Sequence, residues 1–372
     1  MRLRPKASTE PDFTVAVYDS FDGLPPTCLA LFRGDTDASV FSTLPWYRNL
    51  GSAVLSRSGT LRIYVVSDQA SAEPMMVMPM WHARTNALVG ERALQAAANF
   101  YASLYTPLLR ANCAHPDQVV QVMAAALAAE RPRWERVMLF PMATESPLYG
   151  LLADALARAG YIIQRYFGFG NWYLSIGGRT YEQYLDSVPS KLRHTVARKS
   201  RQLVALGGFR IAILTEPEQA TEGSQAFNKV YAASWKNAEP FPAFIPGLID
   251  TCAKQGWLRM GVAYLNDVPI AFQIWIVHRH IASIYKLAYR EEHAKLSVGS
   301  VLTASMMRYV IDVDKVVEVD YLTGDEAYKQ DWMAERRERW GIAGFDPRTL
   351  RGALGASKSL VRRYVKKKKS TT

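Results

Sequence analysis

Residues 257–289 constrain the fold more than any other stretch of this chain. Three apolar runs, "WLRMGVAYL" (257–265), "PIAFQIWIV" (269–277) and "IASIYKLAY" (281–289), are separated only by "NDV" and "HRH". Short runs rich in β-branched and aromatic residues read as strands, and connections this tight join antiparallel neighbours. The period then changes. A charged loop (290–295) leads to Gly299, which begins an apolar run at helical spacing that reaches about Ile311. The strand "VVEVDYL", a short helix around "EAYKQDW" and a last segment near Trp340 follow. Upstream lie the strand "FRIAIL" and the helical "EQATEGSQAFNKVYAASWK" and "FIPGLIDTCAKQG". Antiparallel strands leading into a helix and a further strand predict an α+β fold.

The first half has the same rhythm. "FTVAVYD" reads as a strand, "TLPWYRNLGSAV" as helical, and "LRIYVV", "MMVMPMW" and "ALQAAANFY" as strands. The helix "PDQVVQVMAAALAAE", the strand "WERVMLFPM", the helix "PLYGLLADALARAG" and the strand "YIIQRYFGFGNWYL" complete it. Internal duplication explains the repeated order most economically. The diglycine Gly177-Gly178 marks the boundary. The expected organisation is a domain at 1–176, a second at 177–346 and a tail at 347–372.

Composition excludes several classes. A chain of 372 residues, 49% hydrophobic and 21% charged, is long enough for two packed domains. Met1 to Pro11 lacks a secretory core, and no run approaches the roughly 20 apolar residues of a membrane span, so the expected location is the cytoplasm. Cys28, Cys113 and Cys252 have no CxxC spacing and read as plain thiols. The six histidines form no paired motif, and His278 and His280 flank an expected hairpin turn, so no metal site is expected. The net charge of +11 points to an anionic partner. It is concentrated in "SKLRHTVARKSRQL" (190–203) and "KSLVRRYVKKKK" (358–369).

The ordered set "SKLRHTVARKSRQL", "ASWK", "PIAFQIWIV", "YKLAY", "LSVGSVL" and "DYLTGDEAYKQDW" resembles the GNAT acyltransferases, in particular the CelD-like cellulose-biosynthesis proteins related to the FemAB peptidyltransferases. The resemblance covers about 175–345, and the first half resembles the degenerate leading domain of such tandem proteins. It implies two GNAT-like domains in tandem, each a mixed, mostly antiparallel sheet flanked by helices, with the reaction in a cleft between them. It also implies acyl-CoA as co-substrate, no resident cofactor, and a pyrophosphate held by backbone amides where a strand turns into a helix. Val298, Gly299 and Ser300 occupy that turn, with Lys295 and Lys286 as nearby cations. The family pattern of an arginine or glutamine and two spaced glycines is reduced here to Gly299. The FemAB relatives, whose donor is aminoacyl-tRNA, share that reduction.

Acyl transfer to an amine needs a neutral nucleophile, a place for the oxyanion and a proton for the thiolate. "DYLTGDEAYKQDW" supplies the candidates. Asp320 ends a strand where the sheet opens, and Asp325, Glu326, Tyr328 and Lys329 follow. By resemblance Tyr328 matches the tyrosine that protonates the thiolate, and Lys329 stands where it can stabilise the oxyanion. The residues alone leave Asp325 and Glu326 as first-turn helix formers and Asp320 as an ion-pair partner of Lys286 or Lys329. In "ASWKNAEPFPAF", Trp235, Lys236, Phe241 and Phe244 suggest an acceptor or acyl wall with Glu239 as base; the alternative is a helix end stapled to the core. Tyr285, Leu287 and Tyr289 share one strand face and Lys286 and Ala288 the other. "NFYASLYTPLL" (99–109) reads as core or as a cleft wall.

The basic helix at 190–203 places Leu192, Val196 and Leu203 on one face, with Lys191, Arg193, Arg198, Lys199 and Arg201 around it. The tail sets Leu350, Leu354, Val361 and Val365 near one stripe, opposed by Arg351, Lys358, Arg362 and Lys366, which predicts either an anionic membrane surface or a solvated tail. The expected activity is N-acyl transfer to an amine of an envelope-related acceptor, a polysaccharide or a lipid such as a sphingoid base. Charged-tRNA aminoacyl transfer and a non-catalytic membrane adaptor are the alternatives, and no other nucleic-acid partner is expected.

Overall fold

The computed structural model describes residues 12–33, 39–83 and 90–369, with 360–369 as backbone alone. Met1 to Pro11 and the side chains of Val361, Arg362, Val365 and Lys366 to Lys369 therefore lie outside the described residues. Two compact units emerge: Met1–Gly168 with Arg339–Thr372, and Phe169–Glu338. The chain thus changes unit inside two strands rather than at the diglycine, and the segment from 339 onward returns to unit 1.

Unit 1 contains β1 (Phe13–Tyr18), α1 (Pro26–Leu29), α2 (Leu44–Leu50), α3 (Ser56–Ser58), β2 (Gly59–Asp68), β3 (Pro74–Ala83), β4 (Ala93–Ala96), β5 (Leu108–Leu109), α4 (Pro116–Ala129), β6 (Arg136–Ala143), α5 (Pro147–Arg158) and the start of β7 (Ile162–Ser175). The strand expected across 93–101 stops at Ala96. The Asn99 side chain takes the Tyr101 N–H at 3.0 Å, an Asx turn that ends the extended backbone. The aromatics beyond it are largely core: Tyr101 and Tyr105 are buried, and the Tyr105 hydroxyl donates to the Pro79 carbonyl. Phe100 is exposed.

Unit 2 runs from β7 through α6 (Tyr181–Ser187), α7 (Ser190–Ala205), β8 (Phe209–Leu214), α8 (Ala220–Ala232), α9 (Phe244–Lys254), β9 (Leu258–Leu265), β10 (Val268–His278), β11 (Ile281–Tyr289), α10 (Val298–Asp312) and β12 (Glu318–Asp320) into β13 (Glu335–Phe345). The end of β13 and α11 (Leu350–Lys369) belong to unit 1. Both tight turns at "ND" and "RH" place two residues at positive φ, Asn266 (50°) with Asp267 (63°) and Arg279 (49°) with His280 (58°). That handedness matches the twist of the strands they join.

The two units have one topology. In unit 1, β1, β2, β3 and β4 are successively antiparallel, β4 is parallel to β6, and β13 closes antiparallel to β6. In unit 2, β8, β9, β10 and β11 are successively antiparallel, β11 is parallel to β12, and β7 closes antiparallel to β12. Unit 1 buries Met76, Met78, Met80 and Val137 against Val120, Met123 and Leu156. Unit 2 packs Ala271, Trp275, Ala282 and Val319 with Leu302, Met306 and Val310 of α10.

Candidate functional site

β11 is the element around which unit 2 organises its chemistry. It is parallel to β12 only at Ile281↔Glu318, Ala282↔Val319 and Ser283↔Asp320, and runs six residues further without that partner. On its other edge β10 stays paired through Tyr289, with a register shift that opposes Ile274 to Lys286 and Trp275 to Ile284. Tyr285 is therefore the extra residue of a β-bulge. A bulge turns the strand locally, and past Ser283 the edge of β11 that faces away from β10 has parted from β12.

That edge leads into the turn before α10. Glu291–Leu296 form a 3₁₀ segment, and Ser297 takes φ 52° as the N-cap without a side-chain cap. The strained residue is thus Ser297, while Gly299 lies inside the first turn. A Cβ on Gly299 would meet the Tyr289 ring at 3.4 Å, so glycine here brings the aromatic close. The Ser300 amide is spent on the Ser297 carbonyl at 3.0 Å. Val298 and Gly299 are left as first-turn donors at the positive end of a 15-residue helix, the arrangement that binds anions. Lys295 is exposed and its carbonyl accepts from Lys199 Nζ at 2.6 Å. A lysine of α7 therefore stands beside the turn, which spacing in the sequence could not reveal.

The first turn of α10 is anchored from within. Gln273 Nε2 donates to the Gly299 carbonyl (3.0 Å) and to Thr303 Oγ1 (2.7 Å), while Trp275 Nε1 donates to Gln273 Oε1 (2.8 Å). Thr303 also donates to the Gly299 carbonyl and is hydrogen-bonded to Tyr321. Gln273 and Thr303 are buried, so this string fixes the turn rather than binding ligand. Polar residues inside apolar runs were the only sequence signal for it.

A second group surrounds Lys286. Its ammonium pairs with Glu239, both side chains being largely buried, and lies 5.2 Å from the Tyr231 ring centroid. Tyr231 is hydrogen-bonded to Glu239, and burial followed by that carboxylate raises its pKa. Lys236 interacts electrostatically with Lys286, Glu239, Glu326 and Lys329; burial and the two lysines lower its pKa. Trp235 packs on Tyr289 at 4.5 Å, and the Glu291 N–H donates to the Ala233 carbonyl, which ties the "ASWK" segment to the loop leaving β11. Phe241 is half-buried. Phe244 is fully buried in α9, a core residue rather than a wall.

The residues after β12 form a third group. Lys329 is buried, pairs with Glu326 at 2.8 Å and donates to the Thr323 carbonyl at 2.6 Å, holding the loop that follows the strand. Tyr328 packs edge-on against Tyr321 at 5.8 Å. Burial, then the nearby Glu326, pushes its pKa up to about 12. Asp320 accepts from Asn171 Nδ2 (2.5 Å), the Leu322 N–H (2.6 Å) and Arg337 (2.6 Å). Asn171 Oδ1 and Glu318 also accept from Arg337. Neither Lys286 nor Lys329 is its partner. Asp325 is held by Arg336 and Trp172, and the Arg336 contact lowers its pKa.

The equivalent turn of unit 1 has different chemistry. α4, which comes after β4 and the short β5 as α10 comes after β11, begins with Pro116 and carries Asp117 in its first turn. Proline has no N–H to give and aspartate repels anions at that end.

No curated protein sequence matches the chain. Among solved structures, FemX superposes with a TM-score of 0.58 at 9% identity, covering 84% of this chain and 94% of its own. The L-PGS of Bacillus licheniformis gives 0.53 at 13%, covering 91% and 97%. The C-terminal domain (DUF2156) of a protein assigned as a lysylphosphatidylglycerol synthetase from Agrobacterium fabrum gives 0.51 at 12%, covering 90% and 95%. At these identities the likeness is one of fold. Residues 190–330, all of them in unit 2, match the family model described as Acetyltransferase (GNAT) domain.

Proposed function

We propose that unit 2 transfers an acyl group from a CoA thioester to an amine. The observation that carries this reading is the parting of β11 from β12 after Ser283, with the bulge at Tyr285 and the Val298–Gly299 amides at the end of the same path. An amide-bearing arm lies along the open edge of β11, its pyrophosphate on the turn, with Lys199 and Lys295 as flanking cations. Backbone amides along the β11 edge that has left β12 stabilise the tetrahedral oxyanion. Tyr328, protonated throughout the neutral range, donates to the departing thiolate. Glu239 accepts the amine proton, with Lys286 and Tyr231 orienting it, and Trp235, Lys236, Phe241 and Tyr285 line the acceptor side. Lys329, Asp320 and Asp325 act by position: they hold the end of β12 and its loop. The acceptor class is an envelope-related amine, on a polysaccharide or a lipid.

A second reading is aminoacyl transfer from charged tRNA, supported by the fold likeness to FemX and by the basic helix α7 reaching the turn through Lys199.

Thermal denaturation with CoA, acetyl-CoA and palmitoyl-CoA tests the first reading. Ligand at 100 times Kd stabilises by about 2.7 kcal/mol, a shift of several degrees. Gly299→Glu abolishes that shift by placing a carboxylate at the turn, while Gly299→Ala, whose methyl only touches Tyr289, retains most of it. Absence of any shift with all three ligands, together with nuclease-sensitive transfer, replaces it with the tRNA reading.

A further inference from the structure

Helix α11 packs in an inverted sense. Its inward face is made of small residues: a Cβ on Gly352 would meet the Asp346 carbonyl oxygen at 2.1 Å, and one on Gly355 would meet the Phe345 ring at 2.7 Å. Ala356 is buried with Ala343 and Phe345. This close approach fixes which side of the helix faces unit 1, and no rotation can bury the leucines instead. Leu350 is 80% exposed and Leu354 53% exposed. At 100° per residue, positions 350, 354, 361 and 365 fall within a stripe about 60° wide, roughly opposite Gly352 and Ala356. The sequence puts Val361 and Val365 there, and the helical backbone continues to Lys369.

A soluble helix of this kind would turn leucine inward and leave glycine outside. The charge says what covers the stripe. Residues 350–369 hold eight lysines and arginines and no acid. Arg351 and Lys358 are exposed along its described part. A second copy of the helix would bring like charges together, and a nucleic acid would leave the apolar stripe uncovered. No described helix is long and apolar enough to cross a membrane.

We infer that α11 lies flat on an anionic lipid surface, with Leu350 and Leu354 entering the acyl boundary and the basic residues at headgroup level. This surface binding is independent of the donor chemistry of unit 2.

Co-sedimentation of the full chain with phosphatidylcholine vesicles, with and without phosphatidylglycerol, tests it. Binding is expected to require phosphatidylglycerol and to weaken as salt rises. The double variant Leu350→Glu/Leu354→Glu lowers binding by about tenfold or more, and its melting temperature stays at the wild-type value because both side chains are exposed. Lys358→Gln, which removes one charge and leaves the apolar stripe intact, lowers it roughly fivefold on anionic vesicles. Equal binding to both vesicle types, or full binding by the leucine variant, overturns the inference. So does a wild-type dimer in light scattering that the leucine variant separates while neither protein binds vesicles.

Discussion

At the scale of single residues, burial decides which ionisable groups respond to pH. His278 packs on Trp257 at 4.8 Å, and burial followed by the neighbouring Arg279 lowers its pKa to about 4 from an ordinary 6.5. The unfolded chain therefore binds more protons between those values. The contribution of neutral His278 is complete above pH 6.5 and is lost as pH falls toward 4. Discounted for partial exposure, the effect is on the order of 1–2 kcal/mol. His278→Phe keeps the ring contact and should flatten stability across that window in denaturant titrations; a variant with the same acid slope as wild type would remove His278 as the cause. Tyr328 makes a different prediction. In the proposed mechanism it protonates the departing thiolate, so Tyr328→Phe should lower kcat by about 100-fold with little change in melting temperature. Unchanged turnover would assign the proton to another group. His278 was visible in the sequence but its state was not, because burial is a property of neighbours distant along the chain.

At the scale of elements, the period-2 runs and tight turns of β9 to β11 were legible because hairpin geometry is local. The bulge at Tyr285 and the positive φ of Ser297 were not. A bulge is defined by the partner strand, and Ser297 is held left-handed by the contacts that start α10 rather than by its own preference. The end of β12 depends even more on distant residues. Asp320 is bound by Asn171, 149 residues upstream, and both accept from Arg337. Arg337→Met would leave the buried Asp320 and the half-buried Glu318 without that cation, at a cost of about 3 kcal/mol. Calorimetry should show the transition that contains unit 2 lowered by about 6–12 °C. Melting within a degree of wild type would mean that Asn171 and the Leu322 amide suffice. The sequence reading placed Asp320 at the opening of the sheet, and the structure makes it the clamp of that opening.

At the scale of the whole molecule, one strand order appears twice with different helix starts. The first turn of α4 contains Pro116 and Asp117, whereas that of α10 offers the Val298 and Gly299 amides. On the acyl-CoA reading proposed above, titration calorimetry should therefore give one acyl-CoA per chain. A stoichiometry of two would restore a working turn to unit 1. Repetition itself was legible from the order of apolar runs, as was the position of the turn after 281–289, because strand period, hairpin signals and helix starts act over a few residues. Only the tertiary structure decided that β11 leaves β12 after Ser283, that Glu239 and Lys286 pair, that Lys199 reaches the turn, and that α11 faces unit 1 with its glycines. Those outcomes rest on packing and on charge pairing between segments far apart in the chain, where the low dielectric of the interior selects partners that sequence spacing does not encode.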